Sequence, residues 1–167
     1  MTNNNFEDIY KKFQAPIYRL CLGYFGGNQA LASDTCQEIF IKVWQNLDRF
    51  KGQSKVSTWV YRVAVNTCIN VLRSAEYKRQ NAEFYISKMS KALEDSQDSE
   101  ESTSKNEQLQ AMYRCISILK PKDRSVILLV LDQEPYEQIA EIMGISENNL
   151  RVKIHRIKDK LSKCINS

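Results

Sequence analysis

Apolar side chains open the chain at Phe6, Ile9, Tyr10, Phe13, Ile17, Leu20, Cys21 and Tyr24. Steps of three and four put them on one face of an amphipathic helix. Pro16 lies inside this stripe and predicts a kink. Gly26, Gly27 and Asn28 supply a turn, after which a second stripe runs through Cys36, Ile39, Phe40, Val43, Trp44 and Leu47. A polar loop from Phe50 to Val56 leads to a third, Val60, Val63, Ala64, Thr67, Val71 and Leu72, with Ser57 or Thr58 as its N-cap. Three such stripes can share one core.

The pattern lapses in SKALEDSQDSEESTSKNEQ, which holds almost nothing apolar after Leu93. Such a stretch buries too little to offset the entropy of ordering it and predicts a linker, with a solvated helix tail as the alternative. Periodicity returns at Leu109, Met112, Tyr113, Ile116 and Leu119 and stops at Pro121, which is suited to begin the next helix. VILLVL, from Val126 to Leu131, fits a buried strand or a buried helix; its helical neighbours decide for helix. YEQIAEIM then forms a short helix ended by Gly144, and Ser146 caps a longer one buried along Leu150, Ile154, Ile157 and Leu161. The expected fold is all-α, with two small helical domains at 1–80 and 109–167 joined by a flexible acidic linker at 81–108.

Charge reinforces this division. Of a net +4, residues 1–80 carry 11 basic and 6 acidic side chains, 81–108 carry 3 and 7, and 109–167 carry 10 and 7. Composition also excludes chemistries. His155 is the only histidine among 167 residues, so paired-histidine metal sites within one chain are ruled out. The five glycines form neither a P-loop nor a dinucleotide fingerprint. Carboxylates come without a neighbouring base, nucleophile or pocket signal, so no catalytic residue, metal or cofactor is expected. Cys21, Cys36, Cys68, Cys115 and Cys164 are odd in number, with no C-x-x-C pair, and read as reduced small hydrophobes of a cytoplasmic protein. The chain opens without a signal-peptide pattern and has no run long enough to insert in a membrane.

Three constellations remain for function. From Tyr136 to Lys158 the chain meets the needs of a helix-turn-helix: small Ala140 at a close crossing, Gly144 in the turn and Leu150 locking the second helix. The outer face of that helix lines up Arg151, His155 and Lys158, flanked by Lys153 and Arg156, and suits a DNA major groove or simply a solvated basic face. The segment FKGQSKVSTWVYRVAVN, with Arg49 just before it, brings Arg49, Lys51, Lys55 and Arg62 together with Phe50, Trp59 and Tyr61. Rings beside cations can stack unpaired bases at about 1–3 kcal/mol each while holding phosphates; the same rings also serve as core anchors. Asn66 shares this helix and can read a base edge or bond locally. Asp34, Gln37 and Glu38 cluster on one side of the second helix as an acidic, solvated patch.

Two strings, SDTCQEIFIKVWQNLDRFKGQSKVSTWVYRVAVNTCINVLR and LKPKDRSVILLVLDQEPYEQIAEIMGISENNLRVKIHRIKDKL, resemble the extracytoplasmic-function sigma factors of bacterial RNA polymerase. The first is similar to region 2 of the sigma-70 family in its D-x-x-Q-E-x-F, F-x-G and S-T-W-x-Y-R-x-A-x-N elements, the second to region 4. The resemblance implies that Asp34, Gln37 and Glu38 bind core RNA polymerase. It implies that Phe50, Lys51, Gln53, Ser54, Lys55, Trp59, Arg62 and Asn66 open and capture the minus-ten element of promoter DNA, with Phe50 as a wedge. Arg151, Val152, Lys153, His155 and Arg156 would read the minus-thirty-five element, with Val152 placed to touch a thymine methyl. An anti-sigma factor is a further implied partner. A duplex-binding regulator acting without polymerase is the alternative, and it leaves the acidic patch and the aromatic loop without a role.

Overall fold

The helices begin where the sequence offers a side-chain acceptor or a preset backbone. Asn5 and Asn28 each cap a helix by accepting the amides of Glu7 and Leu31, and Ser146 does the same for Asn149. Pro121 occupies a first-turn position, where its missing N–H is not needed. The computed structural model describes residues 5–74, 77–78 and 100–166. Its helices are α1 (Phe6–Tyr24), α2 (Gln29–Asn46), α3 (Val56–Arg73), α4 (Glu100–Ser117), α5 (Pro121–Leu131), α6 (Tyr136–Met143) and α7 (Glu147–Ile165), with a 3-10 turn at Leu47–Arg49. No strand occurs among the described residues. VILLVL is helical, and Gly144 closes α6 in the left-handed region at φ 69°.

Helix α1 runs continuously from Phe6 to Tyr24 with Pro16 inside it. Two expectations change. Helix α3 starts at Val56 with Lys55 as its cap residue, so Ser57 and Thr58 lie within the first turn, and Thr58 is buried. The acidic stretch placed at 81–108 does not all stay outside regular structure: α4 begins at Glu100, while 81–99 lie outside the described residues. Glu, Lys and Gln favour helix intrinsically, and the later turns of α4 anchor it through buried Cys115 and Ile116.

The buried side chains of α1, α2 and α3 are continuous with those of α4, α5, α6 and α7. The halves therefore pack on each other across a seam. At its centre Gly23 of α1 lets Leu128 of α5 approach so closely that a Cβ on Gly23 would collide with Leu128 Cδ2. Beside it Arg124, only 7% exposed, donates to the carbonyls of Tyr24 (2.8 Å), Ser117 (2.6 Å) and Leu119 (3.2 Å). One guanidinium thus satisfies carbonyls at the ends of α1 and α4, where the helix dipoles favour a cation. Ser125 donates to the Pro121 carbonyl, and its hydroxyl is hydrogen-bonded to that of fully buried Tyr24. Burial pushes the Tyr24 phenol up from its ordinary range, so it stays protonated at neutral pH.

Cysteine usage differs from the expectation of five reduced thiols. Cys115 and Cys164 form a disulfide that ties α4 to the last turns of α7. Cys21, Cys36 and Cys68 are buried free thiols, with the sulfurs of Cys21 and Cys68 3.8 Å apart. Burial raises the Cys36 thiol to about 11 and raises Cys68 as well, which keeps both unreactive at neutral pH. The 49-residue separation of the bonded pair is what hid it from sequence spacing.

Candidate nucleic-acid interface

Helix α2 turns its buried stripe of Ala32, Thr35, Cys36, Ile39, Phe40 and Val43 inward. Asp34, Gln37 and Glu38 consequently point outward and are exposed. Glu38 pairs with Lys42 at 3.3 Å, and Lys42 also donates to Thr67 of α3. The same outward ridge continues through Ile41, 49% exposed, and Trp44, 65% exposed. Trp44 was expected in the core stripe, but Phe40, Ile41, Val43, Trp44 and Leu47 span too much of the helix circumference for one neighbour to cover. That excess width is the signal that an apolar pair faces out. Ile41 and Trp44 also line an open groove of about 790 Å³ between α1 and α2, with Tyr10, Gln14, Gln37 and Phe40. The patch is therefore a carboxylate-and-amide cluster beside an exposed aromatic-aliphatic surface, a composition suited to protein contact.

The loop before α3 and the first turns of that helix enclose a second concavity of about 400 Å³. Phe50, Lys51, Gln53, Ser54, Trp59 and Arg62 line it, joined by Arg49 and by Glu141 of α6. Phe50 and Trp59 stack with ring centroids 5.0 Å apart and planes at 26°. Phe50 is thus held half-buried as one layer of a two-ring platform instead of projecting alone. Gly52 turns the loop at φ 72° with open space where a Cβ would sit, the freedom that lets it fold back over the platform. Trp59, Arg62 and Asn66, at spacings of three and four, follow one side of α3; Arg62 and Asn66 are exposed. Lys55 is exposed at the cap position, outside the lining of the concavity. Tyr61, by contrast, is core: it is buried, packs edge-on against Phe13 and donates to Glu134 at 3.0 Å. Cations around stacked rings give a surface that can take a base on its face and a phosphate at its rim.

Helix α7 buries Leu150, Ile154 and Ile157 against α5 and α6. Arg151, Val152, His155 and Arg156 stand on the opposite side, all exposed. Arg151 makes an exposed pair with Glu147 at 3.4 Å. Lys153 does not join this face: it turns toward α5 and pairs with Asp123 at 3.3 Å. Its position two residues after Arg151 places it around the helix from the i, i+4 row. The α6 turn at Gly144 and the Ser146 cap fix the angle at which α7 leaves α6, so the basic face is presented by a rigid element. Glu141 is the residue that sequence reasoning missed; only the packing of the two halves brings it beside Thr58 and Arg62. Among the described residues there is no cluster of potential metal ligands and no helix long and apolar enough to cross a membrane.

Comparison with known proteins shows what the chain is similar to. Residues 9–77 match the family Sigma-70 region 2, and residues 109–161 match Sigma-70, region 4. The chain is 30% identical to the ECF RNA polymerase sigma factor SigW of Bacillus subtilis, over 95% of this chain and 87% of that protein. It is 32% identical to the RNA polymerase sigma factor YlaC of the same organism, over 96% and 91%. To the ECF RNA polymerase sigma-E factor of Escherichia coli it is 34% identical over 77% and 70%. Two solved structures share the fold at 16% identity. One is the sigma factor RpoE of Bartonella quintana with the anti-sigma factor NepR (TM-score 0.61, 96% of each chain). The other is CnrH with the cytosolic domain of CnrY (TM-score 0.66, 98% and 90%).

Proposed function

The chain belongs to the extracytoplasmic-function sigma factors of the sigma-70 family, and we propose that its three exposed surfaces divide the work of promoter use among them. As an alternative sigma factor it directs transcription initiation. In our reading Asp34, Gln37 and Glu38, extended by Ile41 and Trp44, bind core RNA polymerase in the cytoplasm. The Phe50–Trp59 platform receives a flipped base of the melted non-template strand at the minus-ten element, while Lys51, Lys55 and Arg62 hold phosphates and Gln53, Ser54 and Asn66 contribute polar contacts. Arg151, Val152, His155 and Arg156 read the minus-thirty-five element from the major groove. Lys153, held by Asp123, supports the helix and reaches a phosphate only on giving up that pair. The protein acts by binding, without catalysis of its own, and an anti-sigma factor restrains it.

The stack of Phe50 on Trp59 amid cations carries this reading, because a solvated loop has no need of two aligned rings. Run-off transcription with purified core polymerase on a pool of upstream DNA from the source genome tests it. Start sites that appear only with the protein added, and that vanish with Trp59→Ala while core binding persists, are the expected result. No initiation by a folded, inhibitor-free preparation leaves the duplex-binding regulator as the better account.

A further inference from the structure

Cys164 ends the inward row of α7, which runs Leu150, Ile154, Ile157, Leu161, Cys164. Leu150, Ile154 and Ile157 are buried, Leu161 is only half-buried, and no side chain of α7 beyond Ile157 is fully enclosed. The last two turns are therefore held on α4 by Leu161 and by the bond from Cys164 to Cys115, which is buried beside Ile116. Those turns also extend the outward rows: Lys158 follows Arg151 and His155, and Lys163 follows Val152 and Arg156. Both lysines are exposed, and Lys163 pairs with Asp159 at 3.2 Å. Access to the two sulfurs differs: Cys115 is enclosed and Cys164 half-buried near the helix end, so an incoming thiolate meets Cys164. Cys21 and Cys68 lie wholly inside the core and do not compete. In a reducing compartment such a bond lasts only while an oxidant maintains it.

We propose that Cys115 and Cys164 form a reversible thiol–disulfide switch that sets how firmly α7 grips promoter DNA, with a dithiol protein of the thioredoxin class as reductant. The proposal rests on the reading of the chain as a cytoplasmic sigma factor with α7 on the minus-thirty-five element. A reductant thiolate attacks the Cys164 sulfur, forms a mixed disulfide and expels Cys115 as a thiolate, which takes a proton. The second reductant thiol then attacks the mixed disulfide and releases Cys164, so two electrons and two protons pass to the chain and the reductant leaves as its disulfide. A small disulfide such as oxidised glutathione reverses this in two exchanges and departs as two thiols. The bonded form holds Lys158 and Lys163 in register with the reading face, and the reduced form lets the last turns fray and loses their phosphate contacts. Leu150 and Ile154 keep the reading face in place in both forms, so the switch grades the grip and does not abolish it.

The full chain, treated with oxidised glutathione or with thioredoxin and its reductase and then freed of reagents, is titrated into run-off transcription with core polymerase on the upstream DNA pool. Alkylation of the acid-quenched, denatured chain, read by mass spectrometry, should count three thiols in the oxidised form and all five in the reduced. Half-maximal transcription is expected to need about three- to tenfold more reduced than oxidised chain. Cys164→Ser should match reduced wild type under either treatment, and Lys158→Ala with Lys163→Ala should close the gap between the forms. The switch is overturned if oxidised glutathione leaves five thiols, if thioredoxin leaves three in the folded chain, or if the two forms transcribe alike. It is equally overturned if reduction unfolds the chain by circular dichroism, which makes the bond a structural staple, or if the gap survives loss of both lysines. Transcription by neither form, from folded protein, overturns the promoter reading itself and the switch with it.

Discussion

Opening the Cys115–Cys164 disulfide releases the last turns of α7 from α4 and frees the unfolded chain from a long closed loop. The bonded cysteines are 49 residues apart, and a loop of that length restricts the denatured ensemble by about 4 kcal/mol. Cys164 lies near the end of α7 and is only half-buried, so Cys164→Ser removes the bond with little loss of packing. The continuous core predicts that both halves unfold together. For a chain of this size the loss corresponds to a fall in melting temperature of roughly 8–16 °C. Urea unfolding and thermal melts followed by circular dichroism, with and without a phosphine reductant, measure it. Reduced wild type and Cys164→Ser should coincide, and reductant should leave Cys164→Ser unmoved. A non-reduced wild type within about 1 kcal/mol of Cys164→Ser would refute the argument, because loop closure of this span cannot contribute so little unless the native bond is strained or absent.

Arg124→Met keeps the length of the side chain but leaves the Tyr24, Ser117 and Leu119 carbonyls without their donor, and chemical denaturation should show a loss of about 2–4 kcal/mol. Leu150→Ala hollows the fully buried anchor of α7; a loss of about 2–5 kcal/mol in the same assay is expected, with weakened duplex binding. Arg151→Ala should leave stability unchanged and weaken binding to a matched upstream element by about 1–3 kcal/mol if it reads a base, as titration against mismatched duplexes will show. Alkaline stability has a fixed sign. Burial raises Cys36 from 9.0 to about 11 and also raises Tyr24, Tyr61 and Cys68, so between these limits the folded chain binds more protons than the unfolded one. The urea midpoint should hold below pH 9.0 and fall on the way to about 11; a midpoint that rises there contradicts the buried, protonated state of these groups.

Helix identity was legible from the sequence because each stripe repeats over several turns and its ends carry local chemistry. Asn28, Pro121, Gly144 and Ser146 act through neighbours within four residues and need no tertiary information. The Lys55 cap was missed for a physical reason: its side chain makes no capping bond, while Thr58, the better cap by residue type, is drawn inward to Glu141 of the other half. Trp44 shows the limit of periodicity, which separates apolar from polar faces but cannot tell an apolar face that meets a neighbour from one left for a partner. Of the aromatic pair in region 2, Tyr61 became a core anchor and Trp59 a platform, a choice made by Phe13 and Phe50 lying far from each other in sequence.

The same reasoning explains why the contacts of Glu141 with Thr58 and Arg62 leave no mark in its own segment. Within YEQIAEIM it is an ordinary polar residue on the outer face of a short amphipathic helix. Its meaning comes from Gly23, whose missing Cβ lets α5 settle on α1, and from Arg124, which fastens the end of α1 to the start of the second half. These two contacts, both away from the Phe50–Trp59 platform, set where α6 arrives on α3. A seam whose rim pairs are single hydrogen bonds and one partly exposed ion pair is weakly held at its edge, since exposed pairs contribute about 0–1 kcal/mol each. The apolar centre and Arg124 therefore decide how readily the halves part.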